Sequence, residues 1–287
     1  MSRIAYVNGQ YLPHSHASIH IEDRGYQFAD GVYEVCEVLG GHLVDEKLHM
    51  ARLARSLGEL RIPHPMTDRA LGVVLREVVE RNKVHNGSVY LQVTRGVAPR
   101  NHFFPPDGTA PGIVVTARNA SVAKSSALAE QGVAVISLPD NRWDRVDIKS
   151  VSLLPNVLAK QAAREQGAYE AWFVDDEGYV TEGSSTNAWI VTKDGTIVTR
   201  PANEGILKGI TRTIVLELAE RQGMAFEERS FTIKEAQQAR EAFMTAATTL
   251  VMPVVSIDDM TVANGTPGHI ATTLRSLFHT QTEIADI

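Results

Sequence analysis

Asp147-Ile148-Lys149-Ser150-Val151-Ser152-Leu153-Leu154-Pro155-Asn156-Val157-Leu158-Ala159-Lys160 places one flexible amine, Lys149, in a run apolar enough to be buried, and follows it at once with a helix. An unpaired ammonium is costly to bury, so a lysine in such a setting takes a partner or gives up its charge. Two readings are open from these residues alone. Lys149 forms an ion pair with Asp147 at a strand edge, or it supplies a neutral amine that condenses with an aldehyde. The helix is expected over residues 155–166. Pro155 sits in its first turn and Gly167 just past its end, the positions those two residue types favour.

Downstream, residues 171–174, 179–181, 188–192 and 196–199 read as short strands joined by Asp-Glu-Gly and Lys-Asp-Gly turns. A helix is expected over about 210–222, and Thr232-x-x-Glu235 is a capping box for another. Residues 243–245 and 252–256 return to strand. Upstream, residues 132–138 read as strand, and the small polar composition around 118–126 reads as a linker. Near the start, residues 4–7 and 10–12 flank Asn8-Gly9, which suits a two-residue hairpin turn. Residues 32–38 and 42–44 repeat that pattern around Gly40-Gly41. Asp45 is placed to cap a helix to about Leu60, with Leu53, Leu57 and Leu60 on one face. Thr67 opens a second helix carrying Leu71, Val74, Leu75, Val78 and Val79. Strands follow at 88–94 and 112–116. Sheet and helix mix without strict βαβ order, so the class is α+β rather than a Rossmann sheet. Two α+β domains are expected, residues 1–119 and residues 120–287, the second carrying Lys149.

The bulk composition removes several function classes. The 287 residues are 44% hydrophobic and 22% charged, ordinary for a globular chain with real cores. A net charge of -6 gives no electrostatic footprint for nucleic acid or an anionic membrane. The single cysteine, Cys36, excludes an internal disulfide framework and a Cys-rich metal site; in its apolar run it reads as a small buried hydrophobe. Apolar runs are far shorter than the roughly 18–20 residues of a membrane span. Residues 1–10 lack the pattern of a signal peptide. The expected location is the cytosol.

Several other motifs could carry chemistry. Thr181-Glu182-Gly183-Ser184-Ser185-Thr186-Asn187 offers a carboxylate, hydroxyls and an amide in a tight turn, for holding a protonated ring nitrogen or merely for solvating the turn. Gly205-Ile206-Leu207-Lys208-Gly209-Ile210-Thr211-Arg212 runs into an apolar helix, whose free N–H groups suit a phosphate. Thr245-Ala246-Ala247-Thr248-Thr249 is a second hydroxyl-bearing turn. Arg100-Asn101-His102 puts an arginine and a histidine on one loop, either solvated or clamping a carboxylate. Arg52, in His49-Met50-Ala51-Arg52-Leu53, falls off the leucine stripe of its helix and is either a surface charge or a site residue.

Taken together these pieces resemble the class IV, or fold-type IV, pyridoxal-phosphate (PLP) aminotransferases, in the branch that acts on D-amino acids. The resemblance runs from Tyr6-Val7-Asn8-Gly9 to Pro253. Its most specific parts are residues 24–34, 92–102, 147–160 and 181–187. It implies a two-domain fold with mixed and antiparallel sheets and flanking helices, PLP as cofactor, and a homodimer acting on small amino acids and 2-oxo acids. By the same resemblance, Lys149 is similar to the lysine that carries PLP and shuttles the substrate Cα proton. Glu182 resembles the glutamate on the pyridine nitrogen. Arg52, Ile210, Thr211 and Thr248 match ligands of the phosphate, and Leu207 the residue packed on the ring. Tyr33, Arg100 and His102 match the trap for the substrate α-carboxylate. Lys160 and Lys193 are set aside as carriers because one lies on a helix and the other in a turn. Ala29 departs from the pattern where glycine is common, and Ala246-Ala247 stand where hydroxylated residues are usual. The implied reaction passes the amino group of a D-amino acid such as D-alanine to a 2-oxo acid such as 2-oxoglutarate. Same-fold alternatives are an (R)-amine or branched-chain aminotransferase, or an aminodeoxychorismate lyase.

Overall fold

A computed structural model describes residues 3–203 and 205–285. The chain forms two compact units. Residues 1–121, Ile148–Ser152 and Glu283–Ile287 make the first, and Val122–Asp147 with Leu153–Thr282 the second. The lysine segment, expected with the C-terminal half, thus belongs to the N-terminal unit.

The first unit holds β1 (Ile4–Val7), β2 (Gln10–Pro13), α1 (Arg24–Phe28), β3 (Gly31–Leu39), β4 (His42–Val44), α2 (Glu46–Glu59), α3 (Asp68–Arg81), β5 (Gly87–Thr94) and β6 (Gly112–Asn119). Its sheet runs β4-β3-β5-β6-β1-β2, all antiparallel, with Ile284–Ala285 added beside β4. The β1–β2 turn is the one expected: Asn8 and Gly9 both have positive φ, 45° and 94°, the twist that suits a tight hairpin. Leu53 and Leu57 of α2 and Leu71, Leu75 and Val78 of α3 pack on Val32, Cys36, Val38, Val89, Leu91 and Val93 of the sheet. Cys36 is buried, and burial pushes its thiol up, as a structural cysteine requires. Thr67 caps α3 through the Ala70 N–H. Asp45 precedes α2 but does not cap it: at φ 53° its carboxylate turns away and accepts from the Glu283 N–H. Ala29 ends α1 in the left-handed region at φ 55°, where its Cβ costs about 1–2 kcal/mol that a glycine would avoid.

The second unit comprises α4 (Val122–Gln131), β7 (Val133–Pro139), α5 (Leu154–Glu165), β8 (Glu170–Val174), β9 (Val180–Gly183), β10 (Asn187–Val191), β11 (Ile197–Thr199), α6 (Ile210–Arg221), β12 (Phe226–Glu228), α7 (Ile233–Gln237), β13 (Glu241–Ala246), β14 (Leu250–Ile257), β15 (Met260–Thr261) and α8 (His269–Leu277). Its sheet runs β12-β11-β10-β13-β14-β7-β8-β9 and is mixed, with parallel pairs β11–β12, β14–β7 and β7–β8. Both faces are covered. Trp172, Ile190, Met244 and Met252 pack on one side, while Trp189, Phe243 and Val251 meet Ile214, Val215 and Leu218 of α6 and Leu274 of α8 on the other. That double burial explains why these strands read as unbroken apolar runs. The expected linker over 118–126 is instead the end of β6 and the start of α4, whose Ala129 is buried. Serine and alanine there are compatible with a helix once one side is covered.

Candidate active site

In the N-terminal unit, β3 places Tyr33 and Glu34 on opposite faces, because side chains alternate along a strand. Residues 148–152 run beside β3 as an extra edge. Val32 bridges Ser150, the Tyr33 N–H donates to Lys149 O at 3.0 Å, and the Val151 N–H donates to Gly31 O at 3.0 Å. Ile148 anchors the segment in the core, and the Lys149 N–H donates to Ser56 Oγ of α2 at 3.3 Å. Lys149 Nζ then lies 4.2 Å from the Tyr33 ring centre. Asp147 pairs with Arg145 at 2.9 Å, so the ion-pair reading of Lys149 is not the arrangement found.

On the other face of β3, Glu34 is wholly buried and ionised. Arg52 donates Nε and Nη2 to its two oxygens, each at 2.8 Å, and His49 Nδ1 donates at 2.8 Å. Burial alone would push the Glu34 carboxyl up, but the Arg52 charge and the hydrogen bonds of Arg52 and His49 bring it down to about 2. Arg52 is therefore a nearly buried arginine oriented by Glu34 rather than a surface charge.

Arg100 and His102 meet on the ring of Phe28, with the Arg100 guanidinium 4.5 Å and the His102 ring 5.4 Å from its centre. Both side chains are exposed. Their loop is held from below by the buried Arg24, which donates to the carbonyls of Asn101 at 2.6 Å and Phe103 at 3.3 Å and to Asp30 at 2.8 Å. Arg95 donates to the same Asp30 and to the carbonyls of Leu60 and Arg61. Burial raises the Asp30 carboxyl, but the two arginines bring it below its ordinary value. Tyr33 makes its contacts elsewhere, with Tyr90 and Lys149.

In the second unit, Glu182 lies near the end of β9 with both oxygens engaged. Oε1 accepts from Arg142 Nη1 at 2.5 Å, and Oε2 from Asn187 Nδ2 at 3.0 Å; the Leu207 N–H lies 3.2 Å from each. Asn187 also donates to Leu207 O at 2.9 Å, which ties the two segments. Gly209 is required here, since a Cβ would lie 2.1 Å from Asn187 Oδ1. It opens α6, whose first residues Ile210 and Thr211 are buried, and no side chain caps that start. Thr248 is exposed in the β13–β14 turn, and beside it the Thr249 hydroxyl is buried with no partner among the described residues.

These groups suit PLP. A buried, uncapped helix start is an anion site, because its N–H groups need an acceptor and its dipole favours negative charge. A carboxylate fixed by three donors suits a cationic ring nitrogen. Glu34 and Arg142 were not picked out from sequence; each pairs with a partner 15 or 40 positions along the chain and leaves no local pattern.

Comparisons with known proteins give the family and its fold. Residues 31–257 match the amino-transferase class IV family. The chain is 44% identical to the D-alanine aminotransferase of Bacillus licheniformis over 261 residues, 91% of this chain and 90% of that one. It is 40% identical over 273 residues to the D-alanine aminotransferase of Listeria monocytogenes serotype 4b, covering 95% and 93% of the two chains. Among solved structures, the branched-chain amino acid aminotransferase of Escherichia coli has the same fold, with a TM-score of 0.88 at 23% identity over 98% of this chain and 94% of that one. A hypothetical aminotransferase from Mycobacterium tuberculosis, solved in its PLP-bound form, has a TM-score of 0.83 at 23% identity over 97% and 98%. Among the described residues no helix is long and apolar enough to cross a membrane.

Proposed function

The chain belongs to the class IV aminotransferases, and from that premise we propose that it moves amino groups from D-amino acids such as D-alanine to 2-oxo acids such as 2-oxoglutarate. The observation that carries the substrate class is the pairing of Arg100 and His102 on Phe28, a clamp for the α-carboxylate. An (R)-amine without a carboxylate has no use for it. The likeness to D-alanine aminotransferases supports the D-configuration.

PLP, the family's cofactor, supplies an aldehyde for the amino group and a ring that withdraws electrons from the substrate Cα. Lys149 carries it and moves the proton at the substrate Cα, with its Nζ held beside the Tyr33 ring. Glu182 holds the proton on the ring nitrogen, and Leu207, fastened to Glu182 through its N–H, packs on the ring. Arg52, the Ile210–Thr211 helix start and Thr248 bind the phosphate; Tyr33, which packs on Tyr90 and Lys149, meets Arg100 and His102 only through the substrate carboxylate. The clamp fixes which enantiomer turns its Cα hydrogen toward Lys149. In the cell we place the enzyme in the cytosol as a homodimer. Leu154, Val157 and Leu158 expose an apolar strip on α5, the kind of surface that a second copy covers. A monomeric mass by light scattering would overturn the dimer.

Arg100→Leu tests the clamp. Losing one charged hydrogen bond costs about 1.5–3 kcal/mol, so kcat/KM for D-alanine is expected to fall about ten- to a hundredfold, with a raised KM. Amines without a carboxylate should be almost unaffected. An unchanged kcat/KM for D-alanine would remove Arg100 from the site.

A further inference from the structure

Arg142 belongs to none of the sequence motifs, yet it is the cation against Glu182. Its segment leaves β7 through Pro139. The Asp140 N–H donates to Val174 O at 2.8 Å, and the Asp140 carboxylate accepts from the Arg142 N–H at 3.2 Å, which turns the arginine back over the sheet. The guanidinium is almost completely buried. It donates Nε and Nη2 to the two Asp140 oxygens at 2.8 and 2.7 Å and Nη1 to Glu182 Oε1 at 2.5 Å, and its carbon lies 4.6 Å from the Phe173 ring centre. The Thr181 hydroxyl donates to Asp140 Oδ2 at 2.7 Å, so the residue before Glu182 is fastened to the same cluster.

We propose that Arg142 is a positioning residue for the reaction: it holds Glu182 as an oriented carboxylate, so that the cofactor's ring nitrogen keeps its proton. This rests on the assignment of Glu182 to that nitrogen. Charge makes the case. Asp140, Arg142 and Glu182 together carry -1, which leaves one negative charge to face a cationic ring. Without Arg142, the buried Glu182 carboxylate and the half-buried Asp140 carboxylate lose the cation between them, and the cheapest relief is proton uptake by one of them. Burial pushes the Asp140 carboxyl up, yet its hydrogen bond and charge contact with Arg142 bring it below the ordinary value. Arg142 itself is raised: burial works against its charge, and the two carboxylates outweigh that. Other charged groups on elements beside β9 are committed differently. Glu170 accepts from Ser184 and Ser185 and pairs with Lys160, Arg200 pairs with Asp175, and Lys208 is exposed.

The test compares Arg142→Met, Arg142→Lys and Glu182→Gln in the full chain, with two readouts. The first is side-chain carboxyl NMR of 13C-glutamate-labelled, cofactor-free protein, in which Glu182→Gln assigns the Glu182 resonance. The second is the pH profile of kcat/KM for D-alanine in the loaded enzyme. In Arg142→Met the Glu182 resonance is expected to titrate about one pH unit or more above the parent. The acid limb of kcat/KM should move up with it, because Glu182 takes a proton sooner as pH falls. Arg142→Lys restores the charge without the fork and is expected to recover most of both shifts. If Arg142→Met does not fold, Arg142→Gln replaces it with the same expectation. Should Glu182→Gln be slow while Glu182 titrates alike in parent and Arg142→Met, the proposal falls and the ring-nitrogen assignment stands. Parental turnover in Glu182→Gln would bring down that assignment and the proposal together.

Discussion

Lys149→Ala is expected to bind PLP without covalent attachment and to lose turnover with D-alanine by about 10²–10⁴-fold or more, the contribution of a positioned proton carrier alone. Three features single this lysine out. Its backbone is pinned on both sides, by Tyr33 and by Ser56, so the amine starts from a fixed point. Its head group rests on the Tyr33 ring, and the neighbouring acid, Asp147, is already occupied by Arg145. The two other lysines considered are used or exposed elsewhere: Lys160 pairs with Glu170 at 3.2 Å and lies over Tyr169, and Lys193 is exposed in a turn. Borohydride treatment of the wild-type holoenzyme followed by peptide mass spectrometry should put the cofactor on Lys149. A label on Lys160 or Lys193, or wild-type absorbance and turnover in Lys149→Ala, would contradict the assignment.

Glu34→Gln is expected to destabilise the protein by about 3–5 kcal/mol at neutral pH, because it leaves the Arg52 charge and His49 in a buried place without their anion. The folded-state carboxyl is lowered from an ordinary 4.5 to about 2, despite its burial, by Arg52 and His49. A carboxyl lowered on folding contributes stability in full above its unfolded value and loses it as pH falls through its folded one. The Glu34 contribution, about 3 kcal/mol from that shift, is therefore complete above roughly pH 4.5 and drains away toward pH 2. Urea unfolding of parent and Glu34→Gln at matched PLP should show a gap at pH 7 that narrows on acidification. A gap below about 1 kcal/mol, or one that does not change with pH, would argue against a structural ion pair. The same substitution frees Arg52 to move, so PLP affinity should fall with stability.

What the sequence made legible was local. Asn8-Gly9 gave the hairpin because a turn of that kind depends on two residues, and Thr67 gave the start of α3 for the same reason. The leucine periodicity of α2 and the valines of α3 marked the faces that became core. The α+β class followed from the order of such elements, and the resemblance supplied the fold type. Long-range partners were not legible. Asp45 looked like a helix cap but serves Glu283, more than two hundred residues on. The start of α8 is satisfied by Glu241 of β13, whose carboxylate accepts from the Ile270 and Ala271 N–H groups; no local cap announced that helix. Of the residues proposed for the site, Lys149, Glu182 and Arg100 stood out as motif residues. Glu34, Asp140 and Arg142 did not, because each is defined by a pairing across 15 to 41 positions that periodicity cannot register.

Amino-group transfer from D-amino acids is tested most directly by one assay. Purified enzyme with PLP is given D-alanine or L-alanine, each with 2-oxoglutarate, and pyruvate formation is followed. Pyruvate from D-alanine at a kcat/KM at least about a hundredfold above that for L-alanine is the expected result, since the wrong enantiomer cannot seat its carboxylate at Arg100 and His102 while turning its Cα hydrogen to Lys149. Equal rates, or a preference for L-alanine, would contradict the account while leaving the class IV fold untouched.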